Sequence, residues 1–279
     1  MNHIKTVVLL GAMTGLFLLV GGWMGGRSGM FIALVLAGVM NLGAYWFSDA
    51  IVLRAYRAQD LPPEEAPEIH AMVEELSRNA GMPKPRVVVI PHDSPNAFAT
   101  GRTPEKGVVA LSSGIIRLMD REELRGVIAH ELSHIRHRDT LIQSVSATIA
   151  GAIMFLAYQM RWFAVFGGGG DDDDGGGLGL LLMAILAPIA ATVIQLAISR
   201  SREYKADEGA AELTRNPEGL ASALERLGET GKRIPLPATR QTAHLFIVSP
   251  LKGRSLLALF STHPPLEERV ARLRRMRPA

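Results

Sequence analysis

The chain has 279 residues, 48% of them hydrophobic and 20% charged, with a formal net charge of +3 and no cysteine. That apolar fraction and a slightly positive mean hydropathy are high for one soluble domain and predict membrane segments beside a modest folded core. The missing cysteine excludes disulfides, thiolate metal ligands and a cysteine nucleophile, and the basic residues gather beside apolar runs and at the C-terminus, as membrane-flanking charge rather than a nucleic-acid surface.

Residues 6–24 carry no charge, follow Lys5 and are long enough to span a bilayer. A cleaved signal peptide is the rival reading, but the stretch is long for one and no A-x-A site follows it. A Gly25-Gly26-Arg27-Ser28-Gly29 turn leads to a second uncharged span, 30–48, with Arg54 and Arg57 beyond it. Residues 1–49 therefore read as a transmembrane hairpin whose two ends, by the positive-inside rule, lie in the cytoplasm.

From Leu61 the composition becomes that of a soluble domain. Pro62-Pro63 lead into a helix lined by Ile69, Met72, Val73 and Leu76 and ending near Gly81. Arg86–Ile90 and Gly107–Leu111 read as strands. Between them, Asn96, Ala97 and Phe98 open a segment reaching Gly101. It reads either as a plain loop around a buried Phe98 or as an edge strand that holds an extended peptide through main-chain hydrogen bonds.

Asp120 to Asp139 contains His130-Glu131-Leu132-Ser133-His134, the pattern H-E-x-x-H. Leu124, Val127, Ile128, Leu132 and Ile135 recur at helical period, and Asp120 with Glu123 predicts an N-terminal capping box. On one helix the two imidazoles, four residues apart, share a face and reach one metal ion, while Glu131 points to the neighbouring space where a water is activated. Two surface histidines on an ordinary amphipathic helix would give the same five letters, so a third ligand is needed. The metzincin extension requires Gly and His at positions held here by His137 and Thr140, and His137, a turn further on, is too far along to close a tetrahedron.

A third apolar segment, 141–156, includes Gln143, Ser144, Ser146 and Thr148; a Gly/Asp-rich connector, 167–177, and a fourth run, 178–198, with Pro188 as a kink, complete a second apolar helical pair over 141–198. The aspartates of the connector lack the spacing of a calcium loop. Two pairs of spans return the chain to its starting side, so residues 50–140 and 199–279 share one compartment, and a site built from both lies close to the membrane surface. Glu203 and Asp207, four apart just past Arg200 and Arg202, place two carboxylates on one helical face, one able to bind the metal and the other to accept a hydrogen bond from a ligating histidine. Taken alone, this pair is also what a solvated helix face looks like. Asn216-Pro217 predicts a helix start running through Leu227, His244–Val248 a strand or buried segment, and Thr262 the cap of a last helix with Leu266, Val270 and Leu273 toward the core.

Taken together in order, Asn96-Ala-Phe-Ala-Thr-Gly101, His130-Glu131-Leu-Ser-His134, Ser201-Arg-Glu203-Tyr-Lys-Ala-Asp207 and Thr262-His263-Pro-Pro-Leu-Glu-Glu-Arg269 resemble the HtpX heat-shock membrane proteases, relatives of the CAAX prenyl proteases. The resemblance implies a polytopic α-helical membrane protein, mainly α with a small β-sheet, carrying a cytoplasmic zincin (gluzincin-like) metalloprotease domain in a bacterial cytoplasmic membrane. It implies one Zn2+ held by His130, His134 and Glu203, Glu131 as general base, Asp207 as the supporting carboxylate, and His263 and Arg269 as stabilisers of the transition state. Its implied substrates are misfolded or damaged membrane proteins. A CAAX-type protease for prenylated tails and a membrane scaffold or chaperone with a structural zinc are the alternatives. The second has no use for Glu131.

Overall fold

The computed structural model describes residues 2–150, 153, 200–230, 247 and 264–276. The end of the third apolar segment apart from residue 153, the Gly/Asp-rich connector, the fourth run, the 244–248 segment apart from Ile247, and the pair Thr262 and His263 lie outside the described residues.

Helix α1 (Asn2–Ala55) is two helices that meet at Gly25 and Gly26, where Gly26 takes φ 56°. That left-handed backbone is open to glycine at no steric cost, which is why the apolar run folds back here. Asn41 clamps the hairpin by donating its Nδ2 to Thr14 Oγ1 at 2.8 Å and to the Leu10 carbonyl at 3.1 Å. The second arm, Gly25–Ala55, is long and apolar enough to cross a membrane, and among the described residues Thr6–Leu19 is a shorter apolar stretch. Residues 139–150 are helical (α5) and pack Leu141, Ile142, Val145 and Ile149 against Leu9, Met13 and Ala44 of the hairpin.

The domain beyond the hairpin is mainly helical around a small mixed sheet. Strands β1 (Gln59–Asp60), β2 (Arg86–Ile90), β3 (Ala97–Thr100) and β4 (Val108–Ser112) lie in the order β1-β2-β4-β3, with β2 and β4 parallel and the other pairs antiparallel. The period-two pattern of the strands decides what covers each face. Val87, Ala97, Ala99, Val109 and Leu111 join one core with helices α2 (Pro67–Asn79), α4 (Arg121–Arg136), α6 (Arg200–Thr214) and α7 (Pro217–Thr230). Val88, Ile90, Phe98, Val108 and Ala110 face the other way, onto Val52 and Leu53 of α1 and Ala147 of α5. A sheet buried on both faces explains the nearly unbroken apolar runs.

One expectation shifts, and one helix is new. Helix α2 starts at Pro67 rather than at Pro62-Pro63, because Glu65 and Ala66 donate back to the Pro62 carbonyl and close a turn first. A short helix, α3 (Ser113–Leu118), follows β4 directly, capped by Ser112, whose hydroxyl accepts from Ile115 N–H. The last helix, α8 (Leu266–Arg275), buries Val270 and Leu273 as its period predicts.

Candidate metal centre

Helix α4 forms as its sequence requires. The Asp120 carboxylate accepts from the Glu123 amide at 2.9 Å, and Glu123 returns the bond to the Asp120 amide at 3.0 Å, which satisfies two donors that the helix itself leaves orphaned. Its apolar stripe enters the core below β3, and Gly126 lets the backbone of α7 approach, since a Cβ there would lie 2.6 Å from Leu220 N. The remaining face carries His130, Glu131 and His134, all but fully buried.

Helix α6 lies across that face and brings Glu203 to both imidazoles. The two Nε2 atoms are 3.2 Å apart; Glu203 Oε2 is 3.9 Å from Nε2 of His130, and Glu203 Oε1 is 3.7 Å from Nε2 of His134. With zinc-ligand bonds of about 2.0–2.1 Å, ligands of a tetrahedral ion sit roughly 3.4 Å apart. The triangle therefore has the size a tetrahedral cation needs. Among the described residues these three form the one group able to hold a metal ion in this way.

The remaining carboxylates lie behind the imidazoles. Asp207 Oδ1 is 3.0 Å from Nδ1 of His130; Asp139 Oδ2 is 3.3 Å from Nδ1 of His134. Arg269 locks Asp207 with a fork, Nε to Oδ2 at 3.0 Å and Nη2 to Oδ1 at 2.7 Å, and its Nη1 donates to the Ile247 carbonyl at 3.0 Å and lies 3.7 Å from Glu203 Oε2. Arg202 reaches Asp139 at 3.8 Å. Glu131, Asp139, Glu203 and Asp207 are all buried, as are Arg202 and Arg269. With both imidazoles neutral, four carboxylates against two guanidiniums leave a buried charge of −2, which a divalent cation matches and which is costly without one.

The titration of the metal-free groups follows from this deficit. Burial, with the Arg269 charge, lowers His130 to about 4 and keeps it neutral. Burial alone would lower His134 too, but its bond with Asp139 and the charges of Glu203 and Glu131 outweigh that and hold it near 9. Burial, together with Glu203, raises Glu131 to about 7 against the charge of His134 and a hydrogen bond from the Ala99 amide. Burial would raise Asp207, but Arg269 overcomes it and holds its carboxyl below the usual range. The two histidines thus differ: one is neutral, the other carries a proton.

Of the residues singled out in the sequence, His130, Glu131, His134, Glu203, Asp207 and Arg269 come together, and His263 lies outside the described residues. Asn96 is a staple at the start of β3: its amide donates to Ser112 Oγ and its Oδ1 accepts from Ala97 N–H. Of the two readings of this segment the structure has the edge strand, with Phe98 buried. Strand alternation points the peptide groups of Ala97 and Ala99 outward at the edge and turns Phe98 to the opposite sheet face, against Tyr56 at 5.8 Å. The Ala99 amide meets Glu131, and the Ala97 carbonyl accepts from Ile247 N–H at 3.3 Å. His137 is the exposed C-cap of α4 and takes no part. Asp139 is a site residue that the sequence pattern does not single out; it gets there by the chain reversal after α4, where Arg138 at φ 57° folds it back beneath His134.

Residues 63–277 match Peptidase family M48. The chain is 55% identical to a protein named Protease HtpX homolog from Desulforapulum autotrophicum over 98% of this chain and 89% of that one. It is 56% identical to the homologue so named from Syntrophobacter fumaroxidans, over 99% of each, and 52% identical to that from Pyrococcus furiosus, over 98% and 95%. Its fold is similar to the crystal structure of S. mikatae Ste24p, with a TM-score of 0.51 at 21% identity. That likeness covers 98% of this chain and 65% of the solved one.

Proposed function

This chain belongs to peptidase family M48 and is a membrane metallopeptidase of the HtpX kind, and from that premise we propose that it is a zinc endopeptidase whose ligands are His130, His134 and Glu203 and whose general base is Glu131. The observation that carries the reading is the buried triangle of ligand atoms with Glu131 beside it in a cluster short of two positive charges. Zinc bound there would polarise a peptide carbonyl and acidify a water.

The chain's own residues do the rest. Glu131 takes the proton of the attacking water and delivers it to the leaving amine, and its raised proton affinity suits both tasks. The Ala99 amide fixes that carboxylate, while Asp139 and Asp207 hold the two imidazoles in the tautomer that presents Nε2. Arg269 pins Asp207 and screens Glu203, a positioning role rather than contact with substrate. The outward Ala97 carbonyl on the edge of β3 accepts from the backbone of an extended substrate, in the place where Ile247 meets it in this structure.

The hairpin, the packing of α5 against it, and the arginines that follow the second arm support a multi-pass protein with its catalytic domain and both termini on the cytoplasmic side. Substrates on that reading are misfolded or damaged membrane proteins, cut in cytoplasmic segments for quality control. The test is cleavage of unfolded casein by the purified, detergent-solubilised chain: a chelator should abolish it and added zinc restore it. Cleavage that is indifferent to both would remove the metal from the mechanism.

A further inference from the structure

Where α1 ends against the sheet, a pocket of about 480 Å³ is lined by Asp49, Leu53, Arg54, Arg57, Arg86 and Val108, with Ala50 and Ala58. We propose that this pocket binds the phosphate of an anionic phospholipid headgroup and so fixes the catalytic domain against the membrane. The inference rests on the second arm of α1 crossing the bilayer and is independent of the metal site.

Charge comes first. Arg86 is held by Asp60 at 2.9 Å, and Asp49 turns one oxygen back to the Ala50 amide. Arg54 and Arg57 are exposed, and neither side chain makes an ion pair or hydrogen bond among the described residues, so two guanidiniums are left to offer phosphate the forked donors it suits best. Helix ends usually repel anions on this side, because the last carbonyls are bare. Here two of them are satisfied: Arg57 N–H donates to the Arg54 carbonyl at 3.1 Å and Ala58 N–H to the Leu53 carbonyl at 2.9 Å, a Schellman closure.

Depth is the second argument. The exposed apolar side chains of the second arm run from Met30 to Ile51, about 30 Å at 1.5 Å per residue, which is the thickness of the hydrocarbon core. Arg54 lies less than one turn beyond that band, and helical side chains lean back toward the N-terminus, which is toward the headgroups. Phe47, Ile51 and Arg54 follow one another at four and three residues along one face. An acyl chain along Phe47 and Ile51, exposed at 61% and 47%, leads directly to a phosphate at Arg54.

The third observation is Arg57 itself. It occupies the position after the helix cap with φ 52°, where glycine is the favoured residue and a side chain is strained. The guanidinium at this strained backbone position has no partner in the fold among the described residues, and the phosphate supplies one.

The test uses the full chain in neutral detergent and phosphate-free buffer, and reads the midpoint of thermal unfolding. Dioctanoyl phosphatidylglycerol, dioctanoyl phosphatidylcholine and sodium phosphate are titrated at equal concentration. The proposal expects phosphatidylglycerol to raise the midpoint by about 5 °C or more at saturation, and the other two to act far more weakly. Arg54→Gln/Arg57→Gln should lose at least tenfold in apparent affinity for phosphatidylglycerol, while a charge-matched Arg78→Gln/Arg121→Gln control on the opposite side of the sheet keeps it. Arg57→Gly separates binding from folding: it should leave the lipid-free midpoint unchanged or higher, yet weaken the lipid response. A double variant that responds as the wild type does, or phosphatidylcholine equal to phosphatidylglycerol, would overturn the site. Inorganic phosphate as effective as the lipid would make a free anion the ligand and overturn the membrane role.

Discussion

Arg269 is the group whose removal the structure prices most clearly. Its side chain is 1% exposed, forks onto Asp207 at 3.0 and 2.7 Å and donates to the Ile247 carbonyl at 3.0 Å. Arg269→Met fills much of the volume but leaves Asp207 buried without its counter-charge, which costs ~3–5 kcal/mol. A domain of this size loses about 2–4 °C of midpoint per kcal/mol, so unfolding of the detergent-solubilised protein should move down by roughly 6–20 °C. The comparison is made with chelator present, so that loss of metal does not enter. Adding Asp207→Asn to Arg269→Met removes the stranded charge and should recover much of the loss, with a coupling of about 2 kcal/mol or more in the double-mutant cycle. A single variant that unfolds within a degree of the wild type would refute the reading of Arg269 as the structural counter-ion of the site.

The other predictions are smaller in scope. Asp139→Asn should weaken zinc affinity by about 10–100-fold, measured by competition with a fluorescent chelator; unchanged affinity would mean that Asp139 does not orient His134. In the metal-free protein His134, held near 9, is protonated at neutral pH and His130 is not. Metal must displace that proton, so apparent affinity should rise roughly tenfold per pH unit between pH 7 and 9 and level off above. Calorimetry at pH 8 in buffers of different ionisation enthalpy should show about one proton released, and none released would contradict the assignment. Gly126→Ala should destabilise by ~1–3 kcal/mol, because its Cβ meets the α7 backbone at 2.6 Å. Gly209→Ala should cost less, since the obstacle is the Ser133 hydroxyl, a side chain that can turn; equal losses would undo the distinction.

The sequence made α4 legible because everything that forms it is local: a capping box, a stripe at 3.6 residues and no helix breaker between His130 and His134. Strands β2 and β4 were legible through their apolar runs, to within a residue at β4. What was not legible depends on direction after a turn or on the rotation of one helix against another. Asp139 follows His134 closely in the chain but would face away from it on a continued helix, and only the left-handed Arg138 brings it under His134. The roles of Glu203 and Asp207 stay interchangeable until α6 docks on α4 and turns the first toward Nε2 and the second toward Nδ1. The two-residue β1 carries no pattern at all, and the orientation of Phe98 follows from the register of β3 on β4.

The central claim is that Glu131 acts on water beside a metal held by its neighbours. Its most direct test is a matched pair, wild type and Glu131→Gln, purified in detergent and assayed for bound zinc and for cleavage of unfolded casein. The account predicts about one zinc per chain in both and a loss of cleavage in the variant by a factor on the order of 10²–10⁴. A Glu131→Gln protein that holds zinc and cleaves as fast as the wild type would contradict it.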